Sequence, residues 1–282
     1  VDRRDFTVNA LYYTVQNFVV HDYVNGVEDL KQRQLKMIGD PEQRYREDPV
    51  RILRALRLSA KLKFDIEAKT AAPIKSLAHL LESIPAARLF DEILKLFFTG
   101  NSLETYQSLC QHGVFKYLFP ASAAEVETNP DSGKLLELAF SSTDRRIGEL
   151  KSVNPAFLLA AILWPALQKE YHRNLSGKMP PMVAMHQATQ SVISEQINQI
   201  AIPKRFSIPM REIWEFQLRL PKRRRAKVLV SHKRFRAAYD FVLLREQTGE
   251  DLQGLGQWWT DFQVADDDQR EKMLSGNRQG NQ

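Results

Sequence analysis

The stretch Arg44-Tyr-Arg-Glu-Asp-Pro-Val-Arg-Ile-Leu-Arg-Ala-Leu-Arg57 combines paired carboxylates, a proline and arginines at helical spacing. Pro49 suits the first turn of a helix, where its missing N–H costs nothing, and Asp48 before it is a natural N-cap. Apolar and basic side chains then alternate between two faces, with Ile52, Leu53, Leu56 and Ala60 on one and Arg51, Arg54, Arg57 and Lys61 on the other. The stretch therefore predicts an amphipathic helix over residues 49–62.

The basic face of this helix has two interpretations. Guanidinium groups along one face could hold phosphates, and the carboxylates of Glu47 and Asp48 could accept hydrogen bonds from a base or a ribose. A capped helix with a solvated charged face would give the same local pattern. The rest of the sequence has to distinguish them.

The composition indicates a folded protein with a mild preference for polyanions. A chain of 282 residues suggests one large domain or two to three small ones, and 43% hydrophobic residues are enough for a core. Lys plus Arg exceed Asp plus Glu by 40 to 34, which gives a net charge of +6 and suits RNA. The single cysteine, Cys110, excludes an intrachain disulfide and predicts a reducing, cytoplasmic location. No apolar run reaches membrane-spanning length, so we expect no membrane partner.

The periodicity predicts a mainly α fold after a short mixed segment. Residues 5–13 suggest a helix capped by Asp5, Phe18–Tyr23 suggests a strand ending at an Asn-Gly turn, and Leu35–Ile38 suggests a second strand. Helices are predicted at 42–47, 49–62, 66–80, 86–98, 102–112, 133–141, 155–169, 181–200, 208–219, 222–230, 233–247 and 251–263. After Asp266 the chain is polar and contains glycine, which predicts a disordered tail.

Several motifs follow one another in a recognisable order. They are Arg3-Arg-Asp-Phe-Thr-Val-Asn-Ala-Leu11, Asp22-Tyr-Val-Asn-Gly26, Glu28-Asp-Leu30, Ile38-Gly-Asp-Pro41 and Glu47-Asp-Pro-Val-Arg51. This series resembles the class II nucleotidyltransferases, which comprise bacterial poly(A) polymerases and tRNA CCA-adding enzymes. Within them the chain is more similar to the poly(A) polymerases, because of Asn154-Pro-Ala-Phe-Leu158, Ala201-Ile-Pro-Lys-Arg205 and Phe235-Arg-Ala-Ala-Tyr-Asp240.

The resemblance implies a domain order. It predicts a remnant of an α+β nucleotidyltransferase head at 1–40, a helical nucleotide-binding neck at 41–120, a helical RNA-binding body at 121–265 and the tail at 266–282. The family's metal-binding Asp-x-Asp pair is not found in this sequence, so we expect it upstream of an N-terminally truncated chain, with no catalytic residue here. Asp266 and Asp268 have the spacing but no strand around them, and a solvated acidic run explains them better.

The resemblance also implies nucleotide-binding roles for seven residues. Arg4 and Asp5 match the pair that contacts triphosphate and ribose, although Asp5 could simply cap its helix. Asp48 and Arg51 match the pair that contacts the Watson–Crick edge of the incoming base. The remaining three, Asn9, Glu47 and Arg54, lie in the same motifs, and Glu47 and Arg54 would orient the base-reading pair or bind phosphate. Arg88 and Glu92, four residues apart, suggest an ion pair that supports the site.

The densest basic region lies near the C-terminus and predicts contact with an RNA backbone. Its members are Lys222, Arg223, Arg224, Arg225, Lys227, Lys233, Arg234 and Arg236. Trp214, Phe235 and Tyr239 could stack on bases, but aromatic residues at helical spacing are more often core.

Three functions follow from these patterns. The first is a polynucleotide adenylyltransferase that adds AMP from ATP to RNA 3′ ends, with Mg²⁺ in the intact enzyme and this chain inactive alone. The second is a tRNA CCA-adding enzyme, and the third is a helical RNA-binding module without chemistry. Asp48 and Arg51 discriminate among these functions, since a binding module without chemistry needs no pair of residues that contacts the incoming base.

Overall fold

The computed structural model describes residues 4–223 and 225–279, and helices dominate it, which confirms the mainly α prediction. The chain forms two compact units. The first contains Val1–Ala123, Phe140–Val153 and Gln196–Ile202, and the second contains Ala124–Ala139, Asn154–Glu195 and Pro203–Gln282. The four-part domain order stays a prediction.

The first unit begins with a 3-10 turn and two small sheets. The turn spans Thr7–Asn9. Strands β1 (Leu11–Thr14) and β2 (Val19–Asp22) pair antiparallel, and β3 (Gln34–Leu35) pairs in parallel with β4 (Asp65–Ile66). The strand predicted at 18–23 is confirmed. The helix predicted over 5–13 is wrong beyond Asn9, because Leu11–Thr14 is rich in β-forming side chains and pairs with β2.

A tight turn joins the hairpin to helix α1 (Gly26–Lys31). The carboxylate of Asp22 accepts hydrogen bonds from the backbone N–H groups of Gly26 and Val27, both at 2.9 Å. A Cβ atom at Gly26 would lie 2.3 Å from the carbonyl oxygen of Thr7. Only glycine lets α1 approach the 3-10 turn this closely, and that turn follows directly on Asp5.

Helices α2 (Pro41–Glu47) and α3 (Val50–Leu62) contain the stretch that opens the sequence analysis. Helix α3 begins one residue later than predicted, with Pro49 at the N-cap, and the Asp48 carboxylate accepts from the N–H of Val50 at 3.2 Å. The apolar face is buried, with Ile52, Leu53 and Leu56 fully inaccessible to solvent. Burial of this face fixes which side of α3 carries the arginines.

The next seven helices along the chain lie at least partly in the first unit and are short to medium in length. They are α4 (Ala68–Ala71), α5 (Ile74–Leu77), α6 (Ala86–Phe97), α7 (Ser102–Gln111), α8 (Phe115–Leu118), α9 (Pro120–Thr128) and α10 (Pro130–Gly148). Helix α6 buries Leu89, Phe90 and Ile93, and Arg88 lies on its exposed side.

The second unit is helical throughout its described residues. Its helices are α11 (Pro155–Ile162), α12 (Trp164–Ser176), α13 (Pro181–Gln199, which ends in the first unit), α14 (Lys204–Arg219), α15 (Ala226–Val230), α16 (Phe235–Thr248), α17 (Leu255–Val264) and α18 (Asp267–Gln279). Trp214, Phe235 and Tyr239 are at most 6% exposed. These aromatic rings therefore belong to the core, and the structure does not support base stacking by them.

Helix α18 (Asp267–Gln279) occupies most of the stretch that the sequence predicts to be disordered, and residues 280–282 of that stretch lie outside the described residues. Asp266 caps it by accepting from the backbone N–H of Gln269 at 2.8 Å, and Arg270 donates to the carbonyl of Phe262 at 3.0 Å. Met273 and Leu274 pack against the core cluster around Trp259. The correction has a physical reason, because these two apolar side chains, about two turns after the cap, pack against the core and dock the helix.

Within the described residues, no helix has both the length and the hydropathy needed to cross a membrane.

Candidate functional site

Asp5 is the centre of a charged network in the first unit. Its backbone carbonyl accepts from the N–H of Ile38 at 2.9 Å, which ties this segment to the one that precedes α2. Its side chain is 13% exposed and accepts from Arg51 Nε at Oδ1 and from Arg54 Nη1 at Oδ2, both at 2.8 Å. The sequence alternative, a helix cap, does not describe this carboxylate.

The two arginines control the charge of Asp5. Burial alone would raise the pKa of the Asp5 carboxyl, but the hydrogen bonds from Arg54 and Arg51 outweigh burial and hold that pKa below its ordinary value. In the same way, burial would lower the pKa of Arg54, and its contact with Asp5 raises it instead. Both shifts favour the charged forms, so Asp5 and Arg54 form an ion pair at neutral pH.

Arg51 connects three parts of the site. Beyond its bond to Asp5, its Nη1 donates to the carbonyl of Arg44 at 2.7 Å and to Glu47 Oε2 at 3.1 Å. Its side chain is only 14% exposed, so it is held by partners rather than by solvent. Glu47, for which the resemblance implies orientation of the base-reading pair or phosphate binding, contacts Arg51 from one turn away.

Arg44 is a site residue that the sequence analysis missed. Its Nη2 donates to the carbonyl of Arg4 at 2.8 Å, and its Nη1 lies 3.5 Å from Glu47 Oε2. It therefore links the Arg4–Asp5 segment to the end of α2. Its position inside the Arg44–Arg57 stretch was visible in the sequence, but the carbonyl that it binds lies 40 residues away.

The side chain of Asp48 is bound by Arg88, for which the spacing suggested Glu92 as the partner. Arg88 Nη2 donates to both carboxylate oxygens of Asp48, at 2.9 and 2.8 Å. The predicted pair between Arg88 and Glu92 is not formed, because Glu92 is buried and accepts instead from Lys95 at 2.8 Å. Arg88 is thus a second site residue whose partner could not be predicted from local spacing.

The structure brings together five of the seven predicted nucleotide residues, namely Arg4, Asp5, Glu47, Arg51 and Arg54. The Asp48 side chain binds Arg88 rather than Arg51, although the backbone N–H of Arg51 donates to the Asp48 carbonyl at 3.0 Å. Asn9 is exposed at the end of the 3-10 turn and its Oδ1 accepts from the N–H of Phe6 at 3.4 Å. Asn9 is therefore a local contact and does not enter the network.

This arrangement suits an anion and not a metal ion. The carboxylates of Asp5, Glu47 and Asp48 are all engaged by arginines, whereas Mg²⁺ needs free carboxylate oxygens. Among the described residues there is no group of three or more His, Cys, Asp or Glu that could hold a metal. The guanidinium groups, oriented by those carboxylates, provide forks of donors for phosphate or for the acceptors of a base.

The basic region of the second unit is more varied than its sequence suggests. Ion pairs hold Lys227 to Glu271 at 2.8 Å, Arg234 to Glu212 at 2.6 Å and Arg236 to Asp240 at 3.0 Å. The Arg223 guanidinium lies 4.9 Å from the centre of the Trp258 ring, and burial lowers its pKa. Lys222, Arg225 and Lys233 are exposed. Arg224 lies outside the described residues.

Three family models match the chain in succession. They are described as the poly A polymerase head domain over residues 1–36, the probable RNA and SrmB-binding site of polymerase A over 63–125, and the polymerase A arginine-rich C-terminus over 177–282. Poly(A) polymerase I of Salmonella typhi is 44% identical over 280 residues, covering 97% of this chain and 60% of that protein. Poly(A) polymerase I of Haemophilus influenzae is 40% identical and covers 96% and 62%. The chain thus spans about three fifths of these relatives' length.

CCA-adding enzymes are similar over less of the sequence. That of Lactobacillus helveticus is 42% identical over 105 residues, which is 37% of this chain and 26% of the relative. A solved structure of the Thermotoga maritima CCA-adding enzyme complexed with tRNA matches with a TM-score of 0.61 at 20% identity, covering 92% of this chain and 58% of that one. At this identity the match shows a shared fold.

Proposed function

This chain belongs to the poly(A) polymerase family, and on that premise we propose that the protein transfers AMP from ATP to RNA 3′ ends in the cytoplasm. In that reaction the RNA 3′-hydroxyl releases its proton to solvent and its oxygen bonds to the α-phosphorus of ATP. The bond from the α-phosphorus to the bridging oxygen breaks, and pyrophosphate leaves with its electron pair. Transfer of this kind depends mainly on positioning and on stabilising negative charge.

The network around Asp5 is the observation that supports this proposal. It fixes Arg51 and Arg54 on one helix face through carboxylates that come from two separate segments. Such fixed guanidinium groups lose little entropy when they bind a ligand. A module that only bound RNA would have no use for partly buried arginines held on a rigid helix.

We assign the residues as follows. Arg4 and Arg54 bind the triphosphate and Asp5 accepts from the ribose 2′-hydroxyl with the lone pairs that Arg51 and Arg54 leave. Asp48 and Arg51 contact the base, Glu47 orients Arg51, and Asn9 supports the 3-10 turn beside the ribose. The basic region from Lys222 to Arg236 provides the surface that binds the RNA backbone.

Mg²⁺ belongs to the proposed reaction, but the described residues of this chain do not fit it, because their nearby carboxylates are engaged by arginines. We therefore propose that its ligands lie outside this sequence and that residues 1–282 alone do not incorporate AMP.

Tailing assays test the proposal. The full-length protein and the 282-residue chain are each given Mg²⁺ with ATP or CTP, and either oligo(A) or a tRNA as acceptor. We expect A-tails on oligo(A) from the full-length protein only. Incorporation by the 282-residue chain would show that the catalytic carboxylates are within it, which contradicts the assignment of Mg²⁺.

The reactions that contain CTP test the second candidate, a CCA-adding enzyme, whose fold this chain shares. CTP incorporation confined to tRNA would favour that function. Salt-sensitive RNA binding without incorporation of either nucleotide would favour a binding module.

A further inference from the structure

The basic region from Lys222 to Arg236 divides into two sets when its contacts are compared. The four anchored cations, Arg223, Lys227, Arg234 and Arg236, each have a ring or a carboxylate partner within the second unit. Trp258, Glu271 and Glu212 lie on α17, α18 and α14, so three of the anchored cations tie the region to other helices, whereas the pair between Arg236 and Asp240 lies within α16.

The three open cations are Lys222, Arg225 and Lys233. All three are exposed, and among the described residues none has an ion-pair partner. Each is within two residues of an anchored cation: Lys222 precedes Arg223, Arg225 lies two residues before Lys227, and Lys233 precedes Arg234. The open cations are therefore presented by backbone that their neighbours hold in place.

The backbone itself supports this division. Arg223 and Arg225 have φ angles of 49° and 57°, in the left-handed region that non-glycine residues seldom adopt. A conformation of this cost persists only where surrounding contacts impose it. Here the contacts are the Arg223–Trp258 stack before the turn and the Lys227–Glu271 pair after it.

We propose that Lys222, Arg225 and Lys233 contact the phosphates of single-stranded RNA and that the anchored cations serve as their scaffold. This inference rests on the proposed function, since it takes RNA as the ligand. Among the described residues, it reduces the proposed phosphate contacts of the basic region to three. A cation paired with a carboxylate, as Lys227, Arg234 and Arg236 are, is a poorer phosphate ligand because that carboxylate stays nearby and repels the RNA backbone.

The salt dependence of binding separates the two sets. Neutralising one phosphate contact on a single strand lowers the slope of log K against log salt by about 0.7. The full-length protein carrying K222Q, R225Q and K233Q should therefore lose about 2 from that slope, measured with fluorescein-labelled oligo(A) between about 50 and 300 mM salt.

The matched control removes the same charge from the anchored set through K227Q, R234Q and R236Q. Its slope should change by less than about 0.5, while its thermal midpoint falls because three ion pairs are lost. Should this triple variant fail to fold, K227Q alone is used, since that pair is well exposed. K222R with K233R, which keeps both charges, should retain the wild-type slope.

Two results overturn the inference. One is an unchanged slope in the open-set variant, and the other is an equal loss of slope in both triple variants. Either would leave RNA binding itself intact. If the unmodified protein instead showed no salt-dependent binding to oligo(A), the RNA part of the proposed function would fail, and the two failures are therefore distinguishable.

Discussion

At the scale of single residues, the Arg88–Asp48 pair gives a sharp test of the site. Arg88→Ala should lower kcat/KM for ATP by about tenfold, because Asp48 loses the charge-assisted hydrogen bonds that orient it. The loss is kept modest because Arg88 is 44% exposed. Steady-state tailing kinetics with ATP and CTP give the measurement.

Controls for this variant distinguish orientation from stability. Lys69→Ala removes an exposed cation from the same unit and should leave kcat/KM unchanged. Arg88→Lys keeps the charge but loses the planar fork, so it should restore only part of the activity. Wild-type nucleotide kinetics in Arg88→Ala would show that Asp48 needs no partner to act.

Asp5 predicts a pH dependence of stability. Its pKa is lower in the folded chain than its ordinary value of 3.8, so its contribution is complete above that pH and is lost as the pH falls through the folded pKa. Near neutral pH, Asp5→Asn should therefore have a smaller free energy of unfolding than the unmodified protein. When the pH falls below about 4, the variant should lose less of that free energy than the unmodified protein does. Urea unfolding followed by far-UV circular dichroism, with Asp91→Asn as the exposed control, measures both curves. Parallel curves of stability against pH for the unmodified protein and Asp5→Asn would contradict the prediction.

These same residues show what the sequence could and could not predict. The motif order located Asp5, Glu47, Arg51 and Arg54 in one site, because each lies in a recognisable pattern. Arg88 was paired with Glu92 on local spacing, yet its partner is 40 residues away on another element. Spacing along one helix carries no information about a neighbour that arrives through tertiary packing.

At the scale of elements, Gly26 determines how closely α1 approaches the turn after Asp5. Gly26→Ala should destabilise the protein by about 1–3 kcal/mol, since its Cβ would meet the Thr7 carbonyl at 2.3 Å and the backbone must move. Gly148→Ala is the matched control, because nothing lies within 4 Å of its Cβ. Equal unfolding midpoints in urea for the two variants would refute the close approach.

Two elements departed from the sequence prediction for opposite reasons. Strand β1 replaced part of a predicted helix because pairing with β2 outweighs a short amphipathic pattern. Helix α18 replaced predicted disorder because Asp266 caps it and Leu274 docks it, whereas polar composition gave no sign of either. Long periodic segments such as α3 were predicted well because their buried face repeats over several turns.

The cap of α18 can be tested directly. Hydrogen exchange of the amides in residues 270–275 should be slowed relative to an unfolded peptide, and Asp266→Ala should weaken that protection by about 1 kcal/mol. Asp268→Ala removes a neighbouring carboxylate for which the structure records no capping bond and should have a smaller effect. If these amides in the unmodified protein exchanged at the rates of an unfolded peptide, the sequence prediction of a disordered tail would be right after all.

At the scale of the whole molecule, the proposed ligands are assigned to different units. The nucleotide residues lie in the first unit, whereas the basic region from Lys222 to Arg236 lies in the second. The chain has 4 tryptophans, Trp164, Trp214, Trp258 and Trp259, and all of them belong to the second unit. Intrinsic tryptophan fluorescence therefore reports on one unit alone.

This asymmetry predicts that RNA and ATP give different optical signals. Oligo(A) should quench part of the tryptophan fluorescence, because the Trp258 ring lies 4.9 Å from the Arg223 guanidinium, beside the open cation Lys222. ATP should leave the fluorescence unchanged while it slows hydrogen exchange in α2 and α3, since binding stabilises the elements that it contacts. Trp258→Phe should remove most of the RNA signal and preserve the RNA affinity. A change in tryptophan fluorescence with ATP as large as that with RNA would show that the nucleotide acts on the second unit. The assignment of the base-reading residues to α2 and α3 would then be wrong.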